Sequence, residues 1–401
     1  MDSLTQIVLG AAAGEVVLGK KIGNRAMVWG AIGGTIPDLD VISNLFMTDI
    51  GALAFHRGIT HSITFSIVGA LFFGWLIHRM YSSNFHPWVA MGAKLIAAVA
   101  VGYIVHLFFN IIAPGNWIPT ILMVPIIGFL LYRNFKNRYI GVEIDKPEAS
   151  LRDWQWLFFW SLITHPILDC FTMYGTQLFA PFSNYRVSWG TISVADPMYT
   201  LPFILCLFIA SRYDRKNSRR RFWNYLGIGL SSAYLTFTVF NKQHINAVFA
   251  DSLERQGITY NRLITNATIL NNILWTGTVE TDDTFYQGQY SLFDTSDIVF
   301  TSIEKRHDLL NSLDDPTIQT LRWFSNDFFN ITPISKNKLQ FNDLRFGTFS
   351  GTGKDPDDFI FKFQLTEKED GSYEMKDAQG GPPEGGEKEM MRQLISRIQG
   401  R

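Results

Sequence analysis

Three short clusters of aspartate and histidine lie beside the long apolar segments of this chain, and their residue types could bind a divalent metal ion. The first is Asp38 and Asp40, directly after a short apolar segment and Pro37. Proline and paired acids also mark ordinary helix ends. However, two carboxylates without a local basic partner repel each other unless a cation lies between them.

The second cluster spans residues 56–62 (HRGITHS) and leads into a long apolar segment. It holds two of the chain's eight histidines, His56 and His61. At a spacing of five they would not share a helix face. A loop carrying His56, folded back on the first turn of the next helix, would bring both to one ion. Thr60 is expected to cap that helix through its hydroxyl. The alternative is that both histidines are hydrogen-bonded polar residues of the fold.

The third cluster is His165 and Asp169 in an aromatic segment. Their spacing of four places both side chains on one helix face, one turn apart. Imidazole with carboxylate is a common donor pair for zinc and other divalent ions. Pro166 weakens the helix locally and could aim His165 inward. The alternative is a His–Asp hydrogen bond that only locks two helices together.

Catalytic roles follow from the same residues. A bound divalent ion lowers the pKa of water to near neutrality. Asp38 or Asp169 could then act as general base, and Arg57 could offset developing negative charge. A structural pair between Arg57 and an aspartate is the alternative. Six nitrogen and oxygen ligands exceed what one zinc ion usually takes, so two ions or a bridging carboxylate stay open.

Composition indicates which part of the chain carries these clusters. Of 401 residues, 47% are hydrophobic and 18% charged, against about 25% charged in average soluble domains. Residues 1–240 hold 18 Lys+Arg and 12 Asp+Glu (+6), and the remainder hold 17 and 24 (−7). The total of −1 excludes a strongly basic nucleic-acid binder. Two cysteines exclude a disulfide framework.

Apolar runs predict a polytopic all-α membrane bundle over residues 1–240. Several reach the roughly 20 apolar residues that cross a bilayer, and the two shortest are rich in glycine and alanine, which allows close helix packing. About eight membrane-embedded helices are expected, at Leu4–Gly19, Ala26–Ile36, Ser62–Met80, Val89–Ala113, Trp117–Tyr132, Trp154–Tyr174, Pro197–Ala210 and Phe222–Phe240.

Basic residues predict the orientation of this bundle, because cytoplasmic loops are enriched in lysine and arginine. They fall in alternate loops, at residues 20–25, 79, 133–138 and 212–221. The loops at 37–61 and 175–196, and everything after about residue 241, then face outward. All three clusters therefore converge at the outer membrane edge. Arg186 and Asp196 lie in the outward loop that follows, and Glu15 is either a partner of the ligands or a packing carboxylate.

The remainder of the chain has ordinary soluble composition and predicts an exported mixed α/β domain at 241–380. Strands are expected within Gly277–Asp294 and Asp358–Leu365, where β-branched and aromatic residues alternate with polar ones. Residues 381–401 are expected to form a flexible linker and a short amphipathic helix. We find no catalytic motif in this region.

The runs MDSLTQIVLGAAAGE, GTIPDLD, HRGITHS and THPILDCFTMYGTQLFAPFSNYR resemble the YdjM type of membrane-bound metal-dependent hydrolases, also described as LexA-regulated inner-membrane hydrolases. The resemblance covers about residues 1–200. It implies that Asp38, Asp40, His56, His61, His165 and Asp169 are metal-site residues. Many relatives have histidine where this chain has Gln6. The HxxxD pattern is also remotely similar to the zinc-dependent phospholipase C group; His106 and Asn110 imitate it, and we expect them to be a polar pair instead.

These observations predict an integral inner-membrane hydrolase that uses a divalent metal, with Zn²⁺ as the expected ion. The expected substrate is an ester or phosphodiester of a membrane lipid or lipid-linked molecule, met at the outer face of the lipid bilayer. The alternative is a non-catalytic metal-binding membrane protein, either a transporter or a scaffold. A purely structural anchor would gain nothing from clustering six His and Asp residues.

Overall fold

The fold is known from a computed structural model that describes residues 1–83, 147–349, 353, 355–380 and 387–400, with isolated positions between 125 and 137. The segments expected at Val89–Ala113 and Trp117–Tyr132, together with His106 and Asn110, lie outside the described residues or almost entirely so. The chain divides into two compact units, residues 1–69 with 157–401, and residues 70–156.

The N-terminal region is helical. Its described α-helices are α1 (Ser3–Ile22), α2 (Asn24–Thr35), α3 (Asp49–Phe55), α4 (Ile63–Ser82), α5 (Leu151–Asp169), α6 (Pro197–Ser211) and α7 (Ser218–Arg255). Among the described residues, α4 is the one helix long and apolar enough to cross a membrane, and α6 is a shorter apolar helix. The expectation of about eight membrane-embedded helices therefore stays a prediction.

Glycines let α1 and α2 pack closely. A Cβ at Gly10 would overlap the carbonyl oxygen of Gly30, and a Cβ at Gly14 would overlap that of Ala26. Only a missing side chain permits this approach of two backbones. The packing holds Gln6 of α1 and Gly34 of α2 in fixed positions, and both contribute to the site described below.

Glu15 of α1 is a packing carboxylate. Both of its oxygens accept hydrogen bonds from the buried Arg220 of α7, each at 2.6 Å. Arg220 also donates to Asn24 Oδ1. The pair joins the helical hairpin α1–α2 to α7, away from the His and Asp clusters, so Glu15 is not a partner of the predicted ligands.

Helix α7 continues through residue 240, where the boundary between the two predicted domains was placed. At 38 residues it extends about 57 Å. Its final turns bury Ile245 and Phe249 against Trp275 of the first sheet. Gly277 makes room for the Phe249 ring, which a Cβ at that position would overlap. One helix is therefore shared by both regions.

The C-terminal domain (residues 262–380) consists of two four-stranded antiparallel sheets. The first has the order β1 (Arg262–Ala267), β2 (Leu274–Glu280), β3 (Thr284–Ser291), β4 (Thr301–Glu304), and the second the order β5 (Phe329–Ser335), β6 (Lys338–Asp343), β7 (Phe361–Glu367), β8 (Tyr373–Gly380). The strands expected from the sequence are confirmed as β2, β3 and β7. Helix α8 (Pro316–Ser325) packs on the second sheet, and α9 (Glu387–Ile398) is the expected terminal helix.

The core of the second sheet extends into the helical region. Leu53 of α3 is buried among Ile318, Leu321 and Phe324 of α8 and the apolar face of the sheet. Tyr174, which follows α5, packs against the same cluster. The C-terminal domain therefore supports the segment that leads directly to His56.

Candidate metal centre

The first two carboxylates lie on a 3₁₀ helix, Ile36–Leu45, that continues from α2. Three residues per turn direct side chains two positions apart to different sides of such a helix. The Asp38 side chain is 19% exposed, whereas that of Asp40 is fully buried. The two neighbouring acids therefore occupy different surroundings.

The two histidines of the second cluster flank a sharp turn. His56 follows α3, Arg57 has a left-handed backbone with φ of +57°, and His61 ends a short 3₁₀ helix, Ile59–His61. The cap of α4 is Ser62, whose hydroxyl accepts from the backbone N–H of Phe65 at 3.0 Å. Thr60, the cap expected from the sequence, donates instead to Asp40 Oδ2 at 3.0 Å.

His165 and Asp169 project from one face of the last turns of α5, as their spacing predicts. His165 Nδ1 lies 2.6 Å from the carbonyl oxygen of Gly34. Asp169 Oδ1 accepts from Gln6 Nε2 at 2.9 Å and contacts the amino group of Met1. Asp169 Oδ2 is buried without a hydrogen-bond partner.

Four side-chain atoms from these three clusters meet at one point. His61 Nε2 and His165 Nε2 are 3.1 Å apart. Asp38 Oδ1 is 3.4 and 3.3 Å from them, and Asp169 Oδ2 is 3.5 Å from each. A tetrahedron of ligands at zinc distances has edges of about 3.3 Å. The three edges among Asp38, His61 and His165 match that size, and these three residues form a group that could hold a metal ion. Asp169 Oδ2 lies beside the two histidines of this group.

Hydrogen bonding indicates which ring nitrogens carry protons. The Gly34 carbonyl can only accept, which places the proton of His165 on Nδ1. His61 Nδ1 lies 3.3 Å from Asp40 Oδ2, which likewise only accepts. Both Nε2 atoms then face the two carboxylate oxygens. Positive charge at this point, either a metal ion or a second proton on an imidazole, offsets the charge of the carboxylates that face the two rings.

Asp40 and His56 lie outside this group of four atoms and support it. Asp40 Oδ1 is 2.8 Å from His56 Nδ1, and Asp40 Oδ2 accepts from the backbone N–H of Arg57 at 3.0 Å. Burial opposes ionisation, yet hydrogen bonds with His56 and His61 hold the pKa of the Asp40 carboxyl well below its usual range. A carboxylate behind a ligating histidine fixes the ring orientation and raises its basicity.

Arg57 is buried beside the metal centre. Its Nη1 donates to Thr172 Oγ1 at 3.0 Å, and its guanidinium lies 4.8 Å from the centre of the Tyr174 ring. Its Nε is 3.4 Å from Asp169 Oδ2, but neither atom makes a hydrogen bond. Arg57 therefore lies beside an aspartate, and its Nε–H makes no hydrogen bond.

The other polar residues singled out in the sequence have structural partners. Asp196 caps α6 and accepts from Tyr234 at 2.8 Å.

Sequence reasoning missed the Gly34 carbonyl and Tyr174. No side-chain pattern could signal the carbonyl, whereas Tyr174 lies in the segment after Asp169 that carries the family resemblance. Gln6 was noted, and its amide binds Asp169 and the carbonyl of His165.

Comparisons with known proteins agree with the residue pattern over the helical region. Neither a curated protein nor a solved structure matches the chain significantly. The family model described as YdjM inner membrane protein matches residues 1–115 and 117–245. This match covers more than half of the chain and includes Asp38, His61, His165 and Asp169. The chain therefore belongs to the YdjM inner membrane protein family.

Proposed function

We propose that this chain is an integral membrane hydrolase that depends on one divalent metal ion. The observation that carries the proposal is the convergence of Asp38, His61 and His165 into one group that could hold a metal ion, with Asp169 beside both histidines. Hydrogen bonds from the opposite side of each imidazole fix this arrangement. A divalent ion at this point would offset the charge of the carboxylates that face the two rings.

The donor set favours zinc. Two imidazole nitrogens together with carboxylate oxygens suit Zn²⁺, whereas Mg²⁺ prefers six oxygen ligands. A divalent ion held there would supply Lewis acidity, which activates water as a nucleophile near neutral pH. The four ligands leave Asp40 and His56 as residues that orient the others.

Residue roles follow from which carboxylate atoms are already engaged. Asp169 is committed at both oxygens, since Oδ1 accepts from Gln6 and Oδ2 faces the histidines. Asp38 is the ligand whose side chain is partly exposed. It is therefore the better general base for a water approaching from solvent. Arg57, whose guanidinium is held beside Asp169, supplies positive charge next to the site and is the residue that would attract an anionic group of the substrate.

The proposed substrate is an ester or phosphodiester of a membrane lipid or lipid-linked molecule. Membership of an inner-membrane family supports this choice, since a centre at a membrane edge is reached by laterally diffusing molecules. The cationic Arg57 favours a phosphate over a neutral ester. The proposed location is the outer face of the inner membrane, as the distribution of basic residues predicts.

Metal content is the direct test. Elemental mass spectrometry of detergent-purified protein is expected to give one zinc per chain, with stoichiometry lost in Asp38→Asn and His61→Gln. His244→Gln, which changes an exposed histidine of α7, is the matched control and should retain the metal. No bound metal in wild-type protein after reconstitution would refute the proposal.

Hydrolysis separates the enzyme from the non-catalytic alternative. Metal-loaded protein in lipid nanodiscs would be screened for release of headgroup or fatty acid from phospholipids and lipid-linked phosphates. Cleavage that Asp38→Asn abolishes supports the hydrolase. A stoichiometric metal without turnover on any of these lipids would favour a metal-binding scaffold or transporter instead.

A further inference from the structure

The C-terminal domain lies beyond the family match, yet its side chains contact Leu53, Tyr174 and Arg186, which surround the loop that carries Arg57. We infer that this domain, acting through Arg186, positions Arg57 to bind an anionic group beside the metal centre. The inference rests on the proposed function, because it explains how one residue of that site is held. Arg186 is thereby a positioning residue and not a catalytic one.

Arg186 ties together two backbone segments next to Arg57. Its Nη1 donates to the carbonyl oxygen of His56, the preceding residue, at 3.4 Å. Its Nη2 donates to the carbonyl oxygens of Gly175 at 3.0 Å and Tyr174 at 3.4 Å. The side chain is buried. The guanidinium thus fixes the distance between the turn that carries Arg57 and the segment that follows α5.

Cations and aromatic rings alternate from Arg57 to the C-terminal domain. The Tyr174 ring centre lies 4.8 Å from the Arg57 guanidinium carbon and 5.2 Å from that of Arg186. The Arg186 guanidinium in turn lies 5.1 Å from the Phe324 ring and 5.3 Å from that of Trp323, both in α8. Cation–π attraction strengthens when the cation is desolvated, as it is here.

Two further contacts fix α8 against the helical region. Leu53 of α3 is buried in the core that includes Leu321 of α8. Trp323 Nε1 donates to the carbonyl oxygen of Asn184, two residues before Arg186, at 3.1 Å. The domain therefore contacts both the segment before His56 and the loop that carries Arg186.

The Arg57 backbone needs such support. A non-glycine residue at φ of +57° is disfavoured and persists only where its surroundings hold it. Its N–H donates to Asp40, and its carbonyl oxygen accepts from the N–H of Gln177 at 2.9 Å. The guanidinium is thereby held beside the metal centre, with its buried Nε 3.4 Å from Asp169 Oδ2.

The test measures binding of inorganic phosphate to metal-loaded, full-length protein by isothermal titration calorimetry. Arg57→Met and Arg186→Met are each expected to weaken phosphate binding at least tenfold while metal stoichiometry is kept. The double variant should bind no more weakly than Arg57→Met, because the two residues act in one chain of contacts. Arg186→Lys should not restore binding, since lysine lacks the planar guanidinium.

Arg262→Met is the matched control, because that guanidinium also lies over a ring of the C-terminal domain, Phe328 at 4.4 Å, while its ion pair is with Glu280 of the first sheet. Trp323→Leu is the second variant should Arg186→Met fail to fold, and a smaller loss in the same direction is expected. Phosphate binding by Arg186→Met at wild-type strength would overturn the inference. The inference would also be overturned if the losses of phosphate affinity in the two single variants multiplied in the double variant, or if the metal-loaded wild type bound no phosphate. A wild type without metal would instead refute the proposed function.

Discussion

Asp40→Asn tests whether Asp40 supports the metal ligands or is itself a ligand. Asp40 is buried and lies within hydrogen-bond or ion-pair distance of His56, Thr60 and His61. The amide keeps the shape of the carboxylate but loses its charge, and its NH₂ cannot accept a hydrogen bond from an imidazole N–H. Either His56 or His61 would then face the NH₂, and both would lose the charged partner that favours a proton on Nδ1.

Loss of such a supporting carboxylate typically costs 10- to 100-fold in metal affinity, about 1.4–2.7 kcal/mol. We expect Asp40→Asn to fall in that range and Asp38→Asn, which removes a direct ligand atom, to lose more. Zinc affinity would be measured by competition with a chromophoric chelator on detergent-solubilised protein. Thermal unfolding followed by circular dichroism would check that each variant is folded.

Asp196→Asn is the matched control, because Asp196 is equally buried and accepts hydrogen bonds from Met198 and Tyr234 away from the centre. Its zinc affinity should equal that of the wild type. An Asp40→Asn affinity within twofold of the wild type would refute the supporting role. A loss as large as that of Asp38→Asn would show that Asp40 is a ligand.

Three further predictions concern stability. Gly10→Ala should lower the unfolding midpoint by thermal melt because its Cβ would overlap the backbone of α2, whereas Gly229→Ala, with nothing within 4 Å, should be neutral or stabilising. Glu15→Gln should lower the free energy of unfolding by about 3–5 kcal/mol, because it leaves Arg220 buried without its charge partner. A Glu15→Gln/Arg220→Met double variant that is no more stable than Glu15→Gln would contradict this. Burial lowers the pKa of His307, so the unfolded chain binds its proton more readily than the fold does. Stability contributed by neutral His307 should be complete above the unfolded pKa of about 6.5 and decline as pH falls below it; chemical denaturation at pH 7.5 and 5.5 should show a smaller decline in His307→Gln.

Local patterns predicted the elements that depend on neighbouring residues. The spacing of four between His165 and Asp169 placed both on one helix face, because α-helix periodicity acts within a single segment. The strands β2, β3 and β7 followed from their alternation of β-branched and aromatic residues. The glycines of α1 and α2 indicated a close helix contact, which the structure confirms.

Assignments that depend on long-range contacts could not be made in this way. Glu15 had two interpretations, and only its contact with Arg220, 205 residues away, decided between them. Thr60 has the right residue type and position for a helix cap, but its hydroxyl donates a hydrogen bond to Asp40, and Ser62 caps the helix. The competing partner in each case comes from a distant segment.

The sequence by itself determined the family, the three His and Asp clusters, and the residue types that could bind a metal ion. Tertiary structure alone decided that one atom from each of Asp38, His61, His165 and Asp169 meets at a single point while Asp40 and His56 stand behind them. The physical reason is that metal-ligand geometry depends on distances of a few ångströms between segments that lie from about 20 to about 130 residues apart in the sequence. Those distances are set by the packing of α1 on α2 and of α3 on the C-terminal domain, which no local pattern encodes.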